Sequence, residues 1–389
     1  MAGALNIGIV AGETSGDLLG AALIEALRAR LPGCHFAGLA GERMRAAGCE
    51  ALGDAQELAV MGLVEPLAHL PRLLRLRRRL RRELLARRVD LFVGVDAPAF
   101  NLGLARALRS SGIPAAQYVS PQVWAWRRAR VKSIARAVDV VLCLLPFETE
   151  AYAGQPVRAE YVGHPLAARI PLESQRAAAR RALGIGGHEL VLAVLPGSRE
   201  AEVRRLGADF AAATVLLGKR LRRPLLCIAP MVSPALAARF NAQLRAAGAT
   251  IRLLEGAADC ALAAADAALI ASGTATLQAL LHGVPMTVAY RMAPLTAFIA
   301  RDLGLVKVRH FSLPNLLAGE GLVPEFFQRA VRPETLAESL YAALTDQSRR
   351  AMVQARFHDL HERLRQGGAE CAAERLVELL GARGATARS

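Results

Sequence analysis

Short, continuously apolar runs alternate along this chain with longer Ala-, Leu- and Arg-rich stretches of helical character. In the first half the runs are NIGIVAG (6–12), CHFAGLAG (34–41), LFVGVD (91–96), AAQYVS (115–120), VVLCLLP (140–146) and AEYVGH (159–164). The second half repeats the design with LVLAVLPG (190–197), PLLCIAP (224–230), TIRLLEG (250–256), AALIASG (267–273) and PMTVAY (285–290). A strand that is apolar on both faces is one covered on both faces, as in a parallel sheet between helices. Two such series predict an α/β chain of two Rossmann-like, doubly wound parallel-sheet domains. A shift in composition over 164–189 marks the crossing between them. The expected division is 1–168, 169–345, C-terminal helices over 346–380 and a loose tail over 381–389. Ligands of open parallel sheets bind beyond the carboxyl ends of the strands. Two facing sheets therefore predict a cleft between domains, lined by strand-to-helix loops.

The chain has 389 residues, 53% hydrophobic and 21% charged, which excludes extended disorder over most of its length. Its formal charge is +15, from 49 Lys and Arg against 34 Asp and Glu. That charge is concentrated. Nine arginines and a single acid, Glu83, lie between Arg72 and Arg88; Arg127, Arg128, Arg130, Lys132 and Arg136 follow with no acid among them. Such a patch fits either solvated helix faces or an anionic partner: phospholipid headgroups, nucleic acid or a phosphorylated substrate.

Six cysteines are scattered without a Cys-x-x-Cys pair, several inside apolar strand-like runs, which predicts reduced, buried thiols and no thiolate metal site. His358 and His361 share a helix face without acidic company and read as surface or capping residues. No basic leader precedes the first apolar run, and no uninterrupted apolar stretch of about 18 residues exists to cross a bilayer. The expected location is cytoplasmic, with any membrane contact peripheral.

The candidate chemistry lies at the strand ends. Gly12-Glu13-Thr14-Ser15-Gly16-Asp17 follows the first strand; Thr14 with Asp17 fits a capping box, and Glu13 and Asp17 are two acids in a ligand-facing position. The loop lacks a three-glycine dinucleotide fingerprint. Asp96 closes LFVGVD before Pro98, either as a helix N-cap or as a general base. Ser120-Pro121 and the chain's two tryptophans, Trp124 and Trp126, follow the next strand. In the second half Pro196-Gly197-Ser198-Arg199 closes a strand ahead of Glu200 and Glu202. Small residues at a helix N-terminus expose N–H groups suited to an anion, and Arg199 adds a bidentate donor. There is no P-loop lysine. Ser272-Gly273-Thr274 repeats the design, and two anion-suited turns in one domain point to a nucleotide diphosphate.

Taken in order, GETSGD (12–17), VMGLVEPL (60–67), VGVDAPAFN (93–101), YVSPQVWAWR (118–127), VGHP (162–165), LPGSR (195–199), ASGTATL (271–277), YRMAPLT (290–296), SLPNLLAG (312–319) and LVPEFFQ (322–328) resemble the lipid-A-disaccharide synthase family. These are glycosyltransferases of the two-Rossmann GT-B architecture, and the resemblance spans nearly the whole chain. It implies transfer of 2,3-diacylglucosamine from its UDP derivative onto 2,3-diacylglucosamine 1-phosphate, with inversion, giving a β-1,6 disaccharide 1-phosphate and UDP on the route to lipid A. It implies no metal or cofactor and a peripheral place on the cytoplasmic face of the inner membrane of a Gram-negative bacterium. Asp96 matches the acid proposed as base, with Glu13, Ser15 and Asp17 as acceptor or catalytic support. Gly197, Ser198, Arg199, Glu202, Ser272, Gly273, Thr274 and Asn315 fall in donor segments. Gln278 stands where the family often has a Glu, from which a ribose contact is expected; Ala167, where an Asp is frequent, has no role.

Diacylated substrates bring the enzyme to a bilayer. Val60, Met61, Leu63, Val64 and Leu67 form an apolar segment just before the arginine run, and with Arg72 and Arg75 are the expected membrane contacts. Leu73, Leu76, Leu80 and Leu84 make a stripe with Arg75, Arg78, Arg79 and Arg82 opposite, readable as a membrane face or as a helix buried in its own domain. Two other functions compete: another membrane-associated UDP-sugar transferase with a lipid-linked acceptor, such as the one making lipid II, and a nucleic-acid-binding protein. Against the latter, aromatics are only 5% of the chain and none interleaves with the arginines of 72–88, so stacking platforms are absent. The implied partners are the two acylated sugars and an anionic membrane surface, not nucleic acid; a homodimer stays open.

Overall fold

The computed structural model describes residues 4–12, 14–59, 70–121, 123, 130–292 and 309–386. The chain divides into two compact units, one taking residues up to Pro165 and from Leu364 onward, the other Leu166–Arg363.

In the first unit seven parallel strands are ordered β3-β2-β1-β4-β5-β6-β7. They are β1 (Asn6–Ala11), β2 (His35–Ala40), β3 (Cys49–Asp54), β4 (Leu91–Val95), β5 (Ala115–Tyr118), β6 (Val140–Cys143) and β7 (Arg158–Tyr161). In the second unit six parallel strands are ordered β10-β9-β8-β11-β12-β13. These are β8 (Leu190–Leu195), β9 (Leu225–Met231), β10 (Arg252–Glu255), β11 (Ala267–Ala271), β12 (Met286–Tyr290) and β13 (Glu325–Phe327). All eleven apolar runs became strands. The two unforeseen strands, β3 and β13, are sheet edges. An edge carries polar residues or is very short, so it lacks the double-sided apolar signal; β3 includes Glu50 and Asp54, and β13 is three residues long.

In each sheet the strand order reverses once, between β1 and β4 and between β8 and β11. Loops leaving such a pair diverge and open a crevice at the strands' carboxyl ends. Asp96, Gly12 and the head of helix Thr14–Arg30 lie at the first switch point; Pro196–Arg199 and Ser272–Thr274 lie at the second.

The helix Leu70–Ala86 resolves the arginine stripe in favour of the domain core. Leu76, Leu80 and Leu84 are buried with Val10, Leu39 and Phe92, and burial of each such side chain stabilises by roughly 1.5–3 kcal/mol. Arg72, Arg75, Arg78 and Arg82 stay exposed on the other side.

The C-terminal helices do not form a unit of their own. Helix Gln347–Arg365 buries Val353, Phe357 and Leu360 in the second unit. Helix Ala369–Thr386 instead packs Ala372, Ala373 and Leu376 into the first unit's core beside Leu23, Ile24 and Leu27 of helix Thr14–Arg30. The expected tail from 381 is helical through Thr386. His361, expected at the surface or as a capping residue, is buried, its Nε2 3.0 Å from the Ala167 carbonyl of helix Pro165–Arg169.

Candidate active site

Asp96 ends β4 in an unusual turn. Its φ is +52° and that of Ala97 is +40°, two successive non-glycine residues in the left-handed region. Each such residue costs on the order of 1–3 kcal/mol and persists only where the surroundings over-determine it. Val119, at the end of the adjoining β5, is also left-handed at φ +76°. The Asp96 N–H donates to the Tyr118 carbonyl at 2.9 Å, tying the turn to β5. Its carbonyl accepts from Asn101 Nδ2 at 2.8 Å and Gln117 Nε2 at 2.9 Å. A Cβ on Gly12 would overlap that of Ala97, so the bare backbone after β1 lies directly against this turn.

Desolvation by burial raises the Asp96 carboxyl above the usual aspartate range, and the Ala97 N–H pulls partly the other way. A carboxylate raised in this way is a stronger base than one in water, which suits proton abstraction from a hydroxyl. Nearby, the Ser120 hydroxyl is buried and pairs with the Tyr152 hydroxyl at 2.9 Å.

Asp17 serves a different end from the one its sequence position suggested. Its carboxylate accepts from the backbone N–H groups of Gly41, Arg43 and Met44 at 2.8, 2.9 and 3.1 Å. It caps helix Glu42–Ala46 rather than its own helix, and it is buried. An acid anchored by three amides has little freedom to serve an acceptor. Ser15 is exposed at the head of helix Thr14–Arg30. Glu13, Trp124, Trp126 and the segment Val60, Met61, Leu63, Val64 and Leu67 lie outside the described residues.

In the second unit, the turn after β8 holds an anion of its own. Glu202 accepts from the backbone N–H of Ser198 at 2.9 Å and of Arg199 at 3.2 Å, and from Arg199 Nη1 at 3.4 Å. The N–H groups expected to be unpaired are thus covered by the first turn of helix Glu200–Arg220. Gly197 takes φ +133°, and any side chain there would run into Glu202. The Arg199 side chain is 80% exposed, leaving the guanidinium open to a ligand.

After β11, Ser272 is fixed by its N–H to the Ala289 carbonyl and its hydroxyl to the Phe311 carbonyl. Gly273 and Thr274 are exposed at the start of helix Thr274–Leu281. Gln278 donates to Asp259 at 2.9 Å, and Asp259 also meets Arg169 and His282. The expected ribose contact therefore has a competitor. A glutamate at 278 would face Asp259 carboxylate to carboxylate, so the carboxamide is the side chain that fits this neighbour. Asn315 is buried and uses both ends on one residue: Nδ2 donates to the Val323 carbonyl and Oδ1 accepts from its N–H. It ties the short helix Leu313–Ala318 to Val323, so both ends of its amide are engaged within the protein.

Sequence reasoning passed over Asn101 and Gln117. The available signal was a lone amide inside an otherwise apolar strand, Gln117 of AAQYVS.

Two Rossmann-like parallel-sheet units with candidate groups at both switch points are the fold of the GT-B class. Solved structures of similar fold include MurG from Acinetobacter baumannii (TM-score 0.57, 17% identity, 97% of this chain and 99% of that one) and the calicheamicin glycosyltransferase CalG4 (0.56, 17%, 97% and 99%). The UDP-GlcNAc 2-epimerase of Neisseria meningitidis is similar in fold at TM-score 0.58 and 12% identity, over 97% of this chain and 99% of that one. Residues 7–378 match the family model for lipid-A-disaccharide synthetase. Lipid-A-disaccharide synthases of Sodalis glossinidius and Alkalilimnicola ehrlichii are 49% and 48% identical, over 97% and 98% of this chain and 98% and 100% of theirs. The chain belongs to the lipid-A-disaccharide synthase family.

Proposed function

We propose that the protein transfers 2,3-diacylglucosamine from UDP-2,3-diacylglucosamine to the 6-hydroxyl of 2,3-diacylglucosamine 1-phosphate. The observation that carries this reading is Asp96: a carboxylate of raised basicity, in a strained turn at the switch point of an acceptor-side Rossmann unit. The Asp96 carboxylate takes the 6-hydroxyl proton as that oxygen bonds to the donor's anomeric carbon. The bond from that carbon to the diphosphate oxygen breaks from the opposite face, its electron pair leaves on UDP, and α configuration becomes β. UDP gains negative charge in this step. The exposed Arg199 guanidinium and the amides at Gly273 and Thr274 are suited to stabilise it. Ser198 and Ser272 shape these turns; Glu202, Gln278 and Asn315 support them from behind, and Ser15 stands as an acceptor-side contact.

The substrates are amphiphilic, and the enzyme is proposed to meet them at the cytoplasmic face of the inner membrane. The exposed arginines Arg72, Arg75, Arg78 and Arg82 support this, and the Val60–Leu67 side chains would supply the apolar contact. No described helix is long and apolar enough to cross a membrane.

Incubation with both diacylated sugars, followed by mass spectrometry, tests the reaction. The expected product is a tetraacyl disaccharide 1-phosphate with one UDP released per turnover, unaffected by chelator. Turnover of UDP-GlcNAc in place of the acylated donor would overturn the substrate assignment.

A further inference from the structure

We propose that Asn101 and Gln117 form a pair of positioning residues that aim the Asp96 carboxylate by clamping the carbonyl of its own peptide. The inference rests on Asp96 acting as the base.

A left-handed pair such as Asp96-Ala97 relaxes unless held, and here the holding groups are identifiable. Asn101 comes from helix Pro98–Arg109 and Gln117 from β5, and both side chains are wholly buried. Asn101 Nδ2 reaches the carbonyls of Val10, Val95 and Asp96; Gln117 Nε2 reaches those of Asp96, Tyr118 and Val119. Every partner is an acceptor, so the NH2 group of each amide must be the end that points there. Their shared target is the Asp96 carbonyl.

This arrangement has a cost that shows it is not generic packing. Asn101 Oδ1 and Gln117 Oε1 are buried without a hydrogen-bond partner among the described residues. An orphaned buried acceptor is destabilising, and an apolar side chain of similar size would avoid it. The two amides also need room. A Cβ on Gly94 of β4 would lie 2.7 Å from Asn101 Cβ and 3.0 Å from Gln117 Oε1, so the missing side chain at Gly94 is the space in which they converge. Helix, neighbouring strand and glycine together fix one peptide plane, and the carboxylate leaving that peptide inherits its direction.

Gln117→Met and Asn101→Leu remove the donors at similar volume, and Gly94→Ala displaces both amides without removing them. Leu104→Ala, a buried change in the same helix away from Asp96, serves as the control for lost stability. Turnover, KM, the pH profile of kcat and thermal midpoint are measured on each, beside Asp96→Asn. The clamp predicts that kcat falls about 10- to 100-fold, the scale expected when a reacting group is misplaced by about 1 Å, with KM within about twofold. It also predicts that the acid limb of kcat moves to lower pH, because a released carboxylate regains solvent. Leu104→Ala should lower the thermal midpoint without moving the limb. If Gln117→Met and Gly94→Ala keep the wild-type kcat and pH profile while Asp96→Asn is inactive, the clamp is wrong and the base stands. Full turnover in Asp96→Asn removes the base and the clamp with it. A loss of kcat in Leu104→Ala equal to that in Gln117→Met, with the same shift of the limb, reduces the pair to ordinary core residues.

Discussion

Glu202 places its carboxylate 2.9 Å from the backbone N–H of Ser198, filling with the protein's own charge the position where a helix would otherwise receive a ligand anion. The same carboxylate also accepts from the Arg199 N–H, so two backbone donors of the turn after β8 are already paired within the protein. The Arg199 side chain stays exposed. In the proposed reaction the two would divide the labour: Glu202 shapes the turn and Arg199 presents charge to the diphosphate.

Separating the two roles is direct. Arg199→Ala should weaken UDP binding by roughly 10- to 100-fold, the scale of a lost charge-assisted hydrogen bond, with an unchanged thermal midpoint. Its ion pair with Glu202 is exposed and contributes little. Glu202→Ala should instead cost about 1 kcal/mol of stability, as for a lost helix cap. Titration calorimetry with UDP and thermal unfolding of both variants would reverse the assignment if the effects were exchanged.

Asp96→Asn is expected to lose about 10²–10⁴-fold in kcat, the usual contribution of a general base, while UDP affinity survives. Stability should move the other way. The folded-state pKa of Asp96 is raised, so ionisation opposes folding at pH above that value, and the penalty fades as pH falls through it to the unfolded value. The variant should therefore melt at higher temperature than wild type at neutral pH, and the difference should vanish in acid. Wild-type kcat should show an acid limb above the ordinary aspartate value. A variant that melts lower at pH 7 would contradict the burial argument.

Asp17→Ala is expected to act on folding rather than on chemistry. Three backbone amides lose the side-chain acceptor they share, at a cost of roughly 1–3 kcal/mol. Turnover per folded molecule and the acceptor KM should stay near wild type. A large rise in acceptor KM with unchanged stability would restore Asp17 to the acceptor site.

Removal of charge from the exposed face of helix Leu70–Ala86 tests membrane contact without touching its core. Each of Arg72, Arg75, Arg78 and Arg82 near an anionic leaflet is worth about 1 kcal/mol. Changing all four to Gln should abolish sedimentation with phosphatidylglycerol vesicles at low salt and leave turnover of detergent-solubilised substrate intact. Binding that persists, or that ignores salt, would shift the contact elsewhere.

Asn315→Ala should also be read in stability. Both hydrogen bonds to Val323 vanish and two buried backbone groups are stranded, for about 2 kcal/mol or more. A proportionate loss of UDP affinity at full stability would assign it to the donor instead.

Apolar runs six to eight residues long, many containing glycine and most followed by helix, carry the sheet architecture in local order, because a strand covered on both faces has to be apolar throughout. Eleven of the thirteen strands, Asp96 at a strand end and the family were legible in that order. Partnership was not. Asp17 and Gly41 are twenty-four positions apart, Asn315 meets Val323 across a loop, and Gln117 reaches Asp96 only because β5 pairs with β4. Hydrogen-bond direction, burial and the return of helix Ala369–Thr386 to the first unit depend on which surfaces meet, and residue spacing along a chain does not encode that. The tertiary structure therefore decided which acids are free to do chemistry and which are consumed in holding the backbone.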